Sequence, residues 1–405
     1  MQGRLTAPVG DGNGGTLHEI ASLFLRLGCT AFGGPAAHVP LMETEVVTRR
    51  GWMTRAEFLD HLGVVQVLPG PNSTELAIHL GHARGGWRGG VLAGLCFISP
   101  AVVIVGTLAA AVSLPMVQPL LVSVTAWLAP VVVAVLAAAL WLFGRQAMGR
   151  PGAAVVMPLT AAAAMIGAAP DPLVLGVGAV AAMLVARALT WRTAAMLLLV
   201  CAAVACAAVA GAAIPMAAQV ADTAAAGGAP TALQLLLYFL RAGITVFGSG
   251  YVLFAVLQRD LVEARGWLTL PALTQASALA QVTPGPLFTT ATAAGYAIAG
   301  PVGAIAATVG IFAPAFLSVA VGPPVRRLVQ RSPMLRAALD GVVIASVALL
   351  GRAVVGFALP LSAWQWGVAL ASLLLVSRGR VPAALLLLLA VCAGLVASIL
   401  HPSLP

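Results

Sequence analysis

The triplet Pro-Gly-Pro occurs twice in this chain, at Pro69-Gly70-Pro71 and Pro284-Gly285-Pro286, each time inside strongly apolar sequence. Setting Phe24 against Phe239 keeps register through both triplets. Over residues 24–71, seventeen of forty-eight positions are identical at an offset of 215, among them Phe24-Leu25-Arg26, Phe32-Gly33, Arg50-Gly51-Trp52 and Gln66-Val67. With one residue deleted the match continues, placing Gly81 over Gly295, Gly89 over Gly303 and Pro100 over Pro314. Proline removes a backbone donor and clashes with the preceding turn, while glycine admits unusual backbone angles. Each copy is therefore expected to break a helix at the same point. A duplicated apolar segment broken twice in this way is how many secondary transporters build a site at mid-membrane.

Composition places that duplication in a bilayer. Hydrophobic residues make up 61% of the chain, charged residues 8%, and the mean hydropathy is +1.03; a water-soluble domain of this size carries about a quarter charged residues. Apolar runs near the length of a spanning helix recur throughout. The expected fold is an all-α polytopic membrane protein of about thirteen spans: 17–40, 58–82, 89–114, 119–143, 152–169, 172–190, 194–216, 232–255, 268–298, 302–322, 337–358, 362–377 and 381–400. Residues 1–16 are polar and Gly-rich, without the basic and apolar regions of a cleaved signal peptide. Residues 17–226 form the first repeat, with Ala-rich scaffold helices in 145–216, and 227–405 the second, the seam falling at the Gly-Gly-Ala-Pro of 227–230.

The net charge of +9 is 21 basic minus 12 acidic residues, and every base is arginine. The arginines sit in short connections between apolar runs, as in cytoplasmic loops, so nucleic acid is not an expected partner. Ser113-Leu114-Pro115-Met116 is uncharged, but its counterpart carries Arg326, Arg327, Arg331 and Arg336; conversely Arg84 and Arg88 flank a connection whose counterpart, 298–302, has no charge. Equivalent loops thus lie on opposite sides, and the repeats are expected to be inverted. Arg49, Arg50 and Arg55 fall on the outer side in this scheme, unless residues 17–82 re-enter rather than span. The five cysteines lie in apolar segments without C-x-x-C spacing, which argues against a disulfide framework or zinc.

The second proline of each triplet suits the first position of a new helix. Pro71 and Pro286 should start half-helices whose amides, on Asn72, Ser73 and Thr74 and on Leu287, Phe288 and Thr289, face the break with the positive dipole end. An anion site is the natural use, and a kink for packing is the alternative. Arg26 and Arg241 occupy equivalent positions; arginine in a span marks function by default, and its planar fork suits a tetrahedral oxyanion, although snorkelling to the interface would also account for it. Gly33-Gly34-Pro35-Ala36-Ala37-His38 should unwind the first span, and Gly248-Ser249-Gly250-Tyr251 is its partner. Gln66 and Gln281 each precede the first proline by three residues and could donate to substrate or satisfy carbonyls freed by the break. Glu75, His79 and His82 fall on one helical face; Glu75 and His79 are candidates for proton coupling, and the spacing also resembles a metal set, although none of it repeats in the second half and no metal is expected. No nucleophile–base pair, phosphate loop or ATP signature appears, so neither an enzyme nor a cofactor is expected.

At Phe32-Gly33-Gly34-Pro35-Ala36-Ala37-His38, followed by Leu68-Pro69-Gly70-Pro71-Asn72-Ser73-Thr74, the sequence resembles the chromate ion transporter family. Gln281-Val282-Thr283-Pro284-Gly285-Pro286 and Gly295-Tyr296 look like that family's other half, except that Ser249-Gly250 departs from a Gly-Gly pattern. The resemblance implies a two-domain bacterial inner-membrane protein that exports chromate, draws on the proton motive force and confers chromate resistance. It carries over Arg26, Gly33, Gly34, Pro35, His38, Pro69, Gly70, Pro71 and Asn72 as motif residues. Chromate and sulfate are near-isosteric tetrahedral dianions, so a sulfate or related oxyanion permease is the alternative within transport. A metal-using membrane enzyme built on Glu75, His79 and His82 and a non-transporting membrane partner are alternatives outside it. The expected partners are the oxyanion and the bilayer, with a homodimer left open.

Overall fold

The computed structural model describes residues 13–31, 35–165, 171–186, 230–247, 250–379 and 381–400. Gly33, Gly34, Gly248 and the expected span 194–216 lie outside the described residues. The rest is helical, without a strand among the described residues. The helices are α1 (Asn13–Thr30), α2 (Pro35–Glu43), α3 (Arg55–Val65), α4 (Asn72–Val112), α5 (Gln118–Met148), α6 (Ala153–Met165), α7 (Asp171–Val185), α8 (Ala232–Thr245), α9 (Gly250–Leu257), α10 (Leu270–Val282), α11 (Thr290–Arg331), α12 (Pro333–Ala358), α13 (Ala363–Ser377) and α14 (Ala383–Leu400).

Five helical stretches are long and apolar enough to cross a membrane: Asn72–Val112, Gln118–Met148, Leu287–Arg331, Pro333–Ala358 and Ala383–Leu400. Their outer faces carry exposed Val103, Ile305, Leu317, Leu389 and Val396, which suit lipid rather than water. The chain is a multi-pass membrane protein. Among the described residues, two of the expected spans are not continuous. The expected span 17–40 is two helices, α1 ending at Thr30 and α2 starting at Pro35, and 58–82 is interrupted between Val65 and Asn72, where Pro69, Gly70 and Pro71 break the helical ladder.

α4 and α11 are each helical hairpins. In α4 the ladder turns at Gly85 (φ −135°, ψ 22°) and Gly86 (φ 61°, ψ −158°); in α11 it turns at Ala299 (φ −142°, ψ 30°) and Gly300 (φ 60°, ψ −150°). Eight residues of straight helix would separate Gly81 from Gly89 by about 12 Å. Instead they touch: a Cβ on Gly81 would meet the Gly89 carbonyl, and one on Gly295 the Gly303 carbonyl. The glycine stripe therefore lets the two arms of each hairpin close backbone to backbone. The short first arm runs from the Pro-Gly-Pro break to the turn, and the long second arm runs back.

The match between halves extends to local detail. α2 and α9 both pass into π-helical turns, Thr44–Arg49 and Gln258–Ala264, that end ahead of glycines with positive φ, Gly51 (58°) and Gly266 (60°). Thr54 and Thr269 then cap α3 and α10, accepting from Glu57 and Ala272. α1 packs on α4, α8 on α11, and α4 on α11 across the middle. A Cβ on Gly28 would stand 2.6 Å from the Phe97 carbonyl, and one on Gly243 would stand 2.7 Å from the Ile311 carbonyl. Glycine is required at both because each helix pair approaches backbone to backbone.

Candidate functional site: two helix breaks tied across the halves

The two breaks are joined to each other's repeat. The Gly70 amide donates to the Val246 carbonyl at 2.8 Å, and the Gly285 amide donates to the Ala31 carbonyl at 2.9 Å. Ala31 and Val246 end the first helices of the two repeats and are equivalent at the offset of 215. The exchange is reciprocal, as in a contact around a two-fold axis. Only glycine fits at the donors: Gly70 has φ 132° and Gly285 φ 104°. A Cβ on Gly70 would lie 2.7 Å from Glu75 Oε1 and 3.5 Å from the Gly243 carbonyl; one on Gly285 would lie 2.6 Å from Ala101 Cβ and 3.6 Å from the Gly28 carbonyl.

Past the breaks, Pro71 and Pro286 are N-caps rather than the first helical residues expected: α4 starts at Asn72, and a 3-10 turn, Leu287–Thr289, precedes α11 at Thr290. Pro71 and Pro286 are buried, and Pro69 and Pro284 flank them from the other side. The amides of Thr74 and Glu75 turn back to the Pro71 carbonyl at 2.8 and 3.0 Å, so the intrahelical ladder opens at Thr74, one residue sooner than three facing amides would require. In the second break Thr289 N–H donates to Pro286 O at 3.1 Å, leaving Leu287 and Phe288 at the corresponding start. Ser73, Thr74, Leu287, Phe288 and Thr289 are buried, and Asn72 is half-buried.

The side chains differ more than the backbones. Thr74 Oγ1, Glu75 Oε2 and His79 Nε2 are buried atoms without a hydrogen-bond partner. Thr289 and Thr290 instead return their hydroxyls to Pro286 O and Leu287 O, each at 2.8 Å. Gln281 is buried, donates Nε2 to Ser277 O at 3.1 Å and leaves Oε1 unpartnered. Its twin Gln66 is exposed at the end of α3. Pro35 starts α2. His38 is buried with its Nε2 3.1 Å from Ala31 O, the carbonyl that also takes the Gly285 amide, and its ring stands edge-on to Phe97 at 5.3 Å. His38 thus positions the cross-repeat contact.

Arg26 is held by Glu45 at 2.5 Å, with its side chain 49% exposed and that of Glu45 8% exposed. Arg49 (2.6 Å) and Arg50 (3.6 Å) crowd the same carboxylate. In the second half Arg241, Arg259 and Arg265 act on Asp260, the residue equivalent to Glu45. Arg259 and Arg352 both reach Asp171 of α7, at 2.6 and 2.9 Å. These acids were not singled out from the sequence, although Glu45 and Asp260 share the repeat offset and the same charge. His82 turns to Trp87, with ring centroids 5.4 Å apart, and does not join Glu75 and His79. No group of three potential ligands able to hold a metal occurs among the described residues. A cavity of about 430 Å³ between α4 and α11, lined by residues such as Thr107, Thr292 and Thr308, has no cation among its described lining.

Sequence comparison agrees with this architecture. A model of the chromate transporter family matches residues 18–229 and 233–395. The chain is 33% identical over 342 residues to a chromate transport protein of Pseudomonas aeruginosa, covering 84% of this chain and 80% of that one. It is 29% identical over 344 residues to a probable chromate transport protein of Synechococcus elongatus, covering 84% of each. A chromate transport protein of Cupriavidus metallidurans is 28% identical over 346 residues, covering 84% of this chain and 82% of the relative. No solved structure matches. With both halves matched and the family's motifs folded into two cross-tied breaks, the chain belongs to the chromate transporter family.

Proposed function

We propose that this protein is a secondary transporter that exports chromate across the bacterial inner membrane and so confers chromate resistance. The relatives' names supply the substrate. One observation carries the mechanism: the reciprocal bonds Gly70–Val246 and Gly285–Ala31. They tie each half-helix start to the end of the opposite repeat's first helix. An anion held by the positive ends at Ser73 and Phe288 is then held by both halves at once, and rocking one against the other moves its access from one side to the other. Residues 17–226 and 227–405 act as the inverted repeats of this cycle, a reading supported by the opposite placement of arginine in equivalent loops.

Pro69, Pro71, Pro284 and Pro286 fix the breaks; Asn72, Ser73, Thr74, Gln281 and Thr289 line them. Arg26 and Arg241, both exposed and each beside an acid, draw the anion toward the site rather than clamp it. A potential negative inside favours outward movement by about 2.3 kcal/mol per charge per 100 mV, twice that for a dianion. Outward transport therefore needs a selective path more than an additional energy source.

Chromate accumulation in energised inverted membrane vesicles tests this. The protein should accumulate chromate above empty vesicles, lose accumulation when the potential is collapsed, and slow in Arg26→Gln and Arg241→Gln. Sulfate as competitor reports selectivity. Accumulation no greater than in empty vesicles would refute export.

A further inference from the structure

The first repeat contains a column of titratable side chains that the second repeat lacks. Glu75 is 1% exposed and sits in the first turn of α4, with Oε1 against Gly70 of the break and Oε2 unpartnered. One turn further, buried His79 hydrogen-bonds the backbone of Ser318 in α11 and leaves Nε2 bare. The His61 ring of α3 stands 6.0 Å from the His79 ring. Next to His61, Asp60, with its side chain 67% exposed, pairs with Arg326 of α11 at 2.7 Å. The column thus runs from the break to the surface.

The groups facing it are few. Asp60, Glu57, His82 and Arg326 act on His61. His61 and His82 act on His79, and Gly322 of α11 packs against its ring, where a Cβ would lie 3.4 Å away. Among the described residues, no charged side chain acts on Glu75. In the second repeat, Gln275 and Ala276 replace Asp60 and His61. Beyond the one-residue deletion, Thr289 or Thr290 stands for Glu75, and Ala293 or Ala294 for His79.

The start of α4 attracts negative charge, and Glu75 occupies the same end that an oxyanion would use. An ionised Glu75 and a dianion repel strongly in that dry setting; a proton on Glu75 removes the repulsion. We propose that Glu75 is a proton site present in the first repeat only, loaded through His79 and His61 from the face carrying Asp60 and Arg326, and that proton and oxyanion bind together. This rests on reading the breaks as the oxyanion site. The proton moves between the Glu75 carboxylate and His61 by way of the bare Nε2 of His79. Each transfer lowers the donor's charge by one and raises the acceptor's by one, and consumes nothing else. Because binding linkage is reciprocal, chromate crosses with a proton and the cycle moves one negative charge rather than two.

The test uses full-length protein in liposomes with the membrane potential clamped at zero. Net chromate flux under an imposed pH gradient is measured beside chromate–chromate exchange at equal pH. Net flux should run from the acid to the alkaline side, with alkalinisation of the acid side. Glu75→Gln should lose the response to the gradient while exchange persists, and His61→Gln should slow the response several-fold with exchange intact. If Glu75→Gln loses exchange too, His61→Gln decides. A wild-type flux indifferent to the gradient, or a full response in His61→Gln, overturns the proposal. Absence of chromate exchange in the wild type would instead overturn the transport reading itself, and the proposal with it.

Discussion

The first and second repeats share a backbone and differ in chemistry. Both make a helix hairpin turning on a glycine at φ near 60°, both close it by glycine-to-glycine contact, and both lend a Pro-Gly-Pro amide to the other's first helix. Yet the first break keeps Thr74, Glu75 and His79 with bare polar atoms, whereas the second satisfies its own hydroxyls through Thr289 and Thr290. A buried polar atom without a partner is costly and rarely kept. The symmetric part of the molecule fixes the geometry of the two breaks; the asymmetric part leaves buried polar atoms unpartnered in the first repeat.

The sharpest way to break the comparison is at the two positive-φ glycines. Gly285→Ala should cost about 4 kcal/mol through backbone strain and collision with Ala101 Cβ. Gly70→Ala, whose new methyl meets the movable end of Glu75, should cost less. Thermal midpoints of the purified variants check this, and equal losses would mean that Glu75 cannot give way. Next in size is Asp171→Asn, which strands Arg259 and Arg352, with side chains 21% and 18% exposed. It should cost about 3 kcal/mol. Glu45→Gln, whose partners Arg26 and Arg49 are half-exposed or more, should cost about 1 kcal/mol. Denaturant unfolding of the two variants side by side gives the ranking.

The smallest effects separate binding from stability. Thr289→Val removes a satisfied hydroxyl and should lower stability by about 1 kcal/mol with little change in the half-saturating chromate concentration. Thr74→Val removes an unpartnered one, so stability should hold or rise while that concentration increases by roughly threefold to tenfold. Transport kinetics and melting curves on both proteins test the split. The reverse pattern would place the substrate's hydroxyl contact in the second repeat.

Much of this backbone was legible in the sequence because proline and glycine act locally. The breaks at Pro69–Pro71 and Pro284–Pro286 and the hairpin turns between the expected pairs of spans follow from residues that cannot continue a helix, whereas Pro35 to His38, expected to unwind, lie within α2, where proline is tolerated at the first position. What was not legible depends on neighbours far along the chain. Gln66 and Gln281 are identical and equivalent, but one is exposed and the other buried, since the helices around them differ. Arg26 has the fork of an oxyanion ligand, and only the fold shows Glu45 already holding it. His61 carries no periodic signal toward His79 because it arrives from α3, across the break. The metal-like spacing of Glu75, His79 and His82 fails for a similar reason: Trp87, beyond the hairpin turn, takes the His82 ring.

The most direct test of the central claim is the position of chromium in chromate-soaked crystals, located by its anomalous scattering. The account predicts a single peak between the helix starts at Ser73 and Phe288, within hydrogen-bonding reach of both repeats. A peak in the threonine-lined cavity between α4 and α11, or one contacting a single repeat, would contradict it.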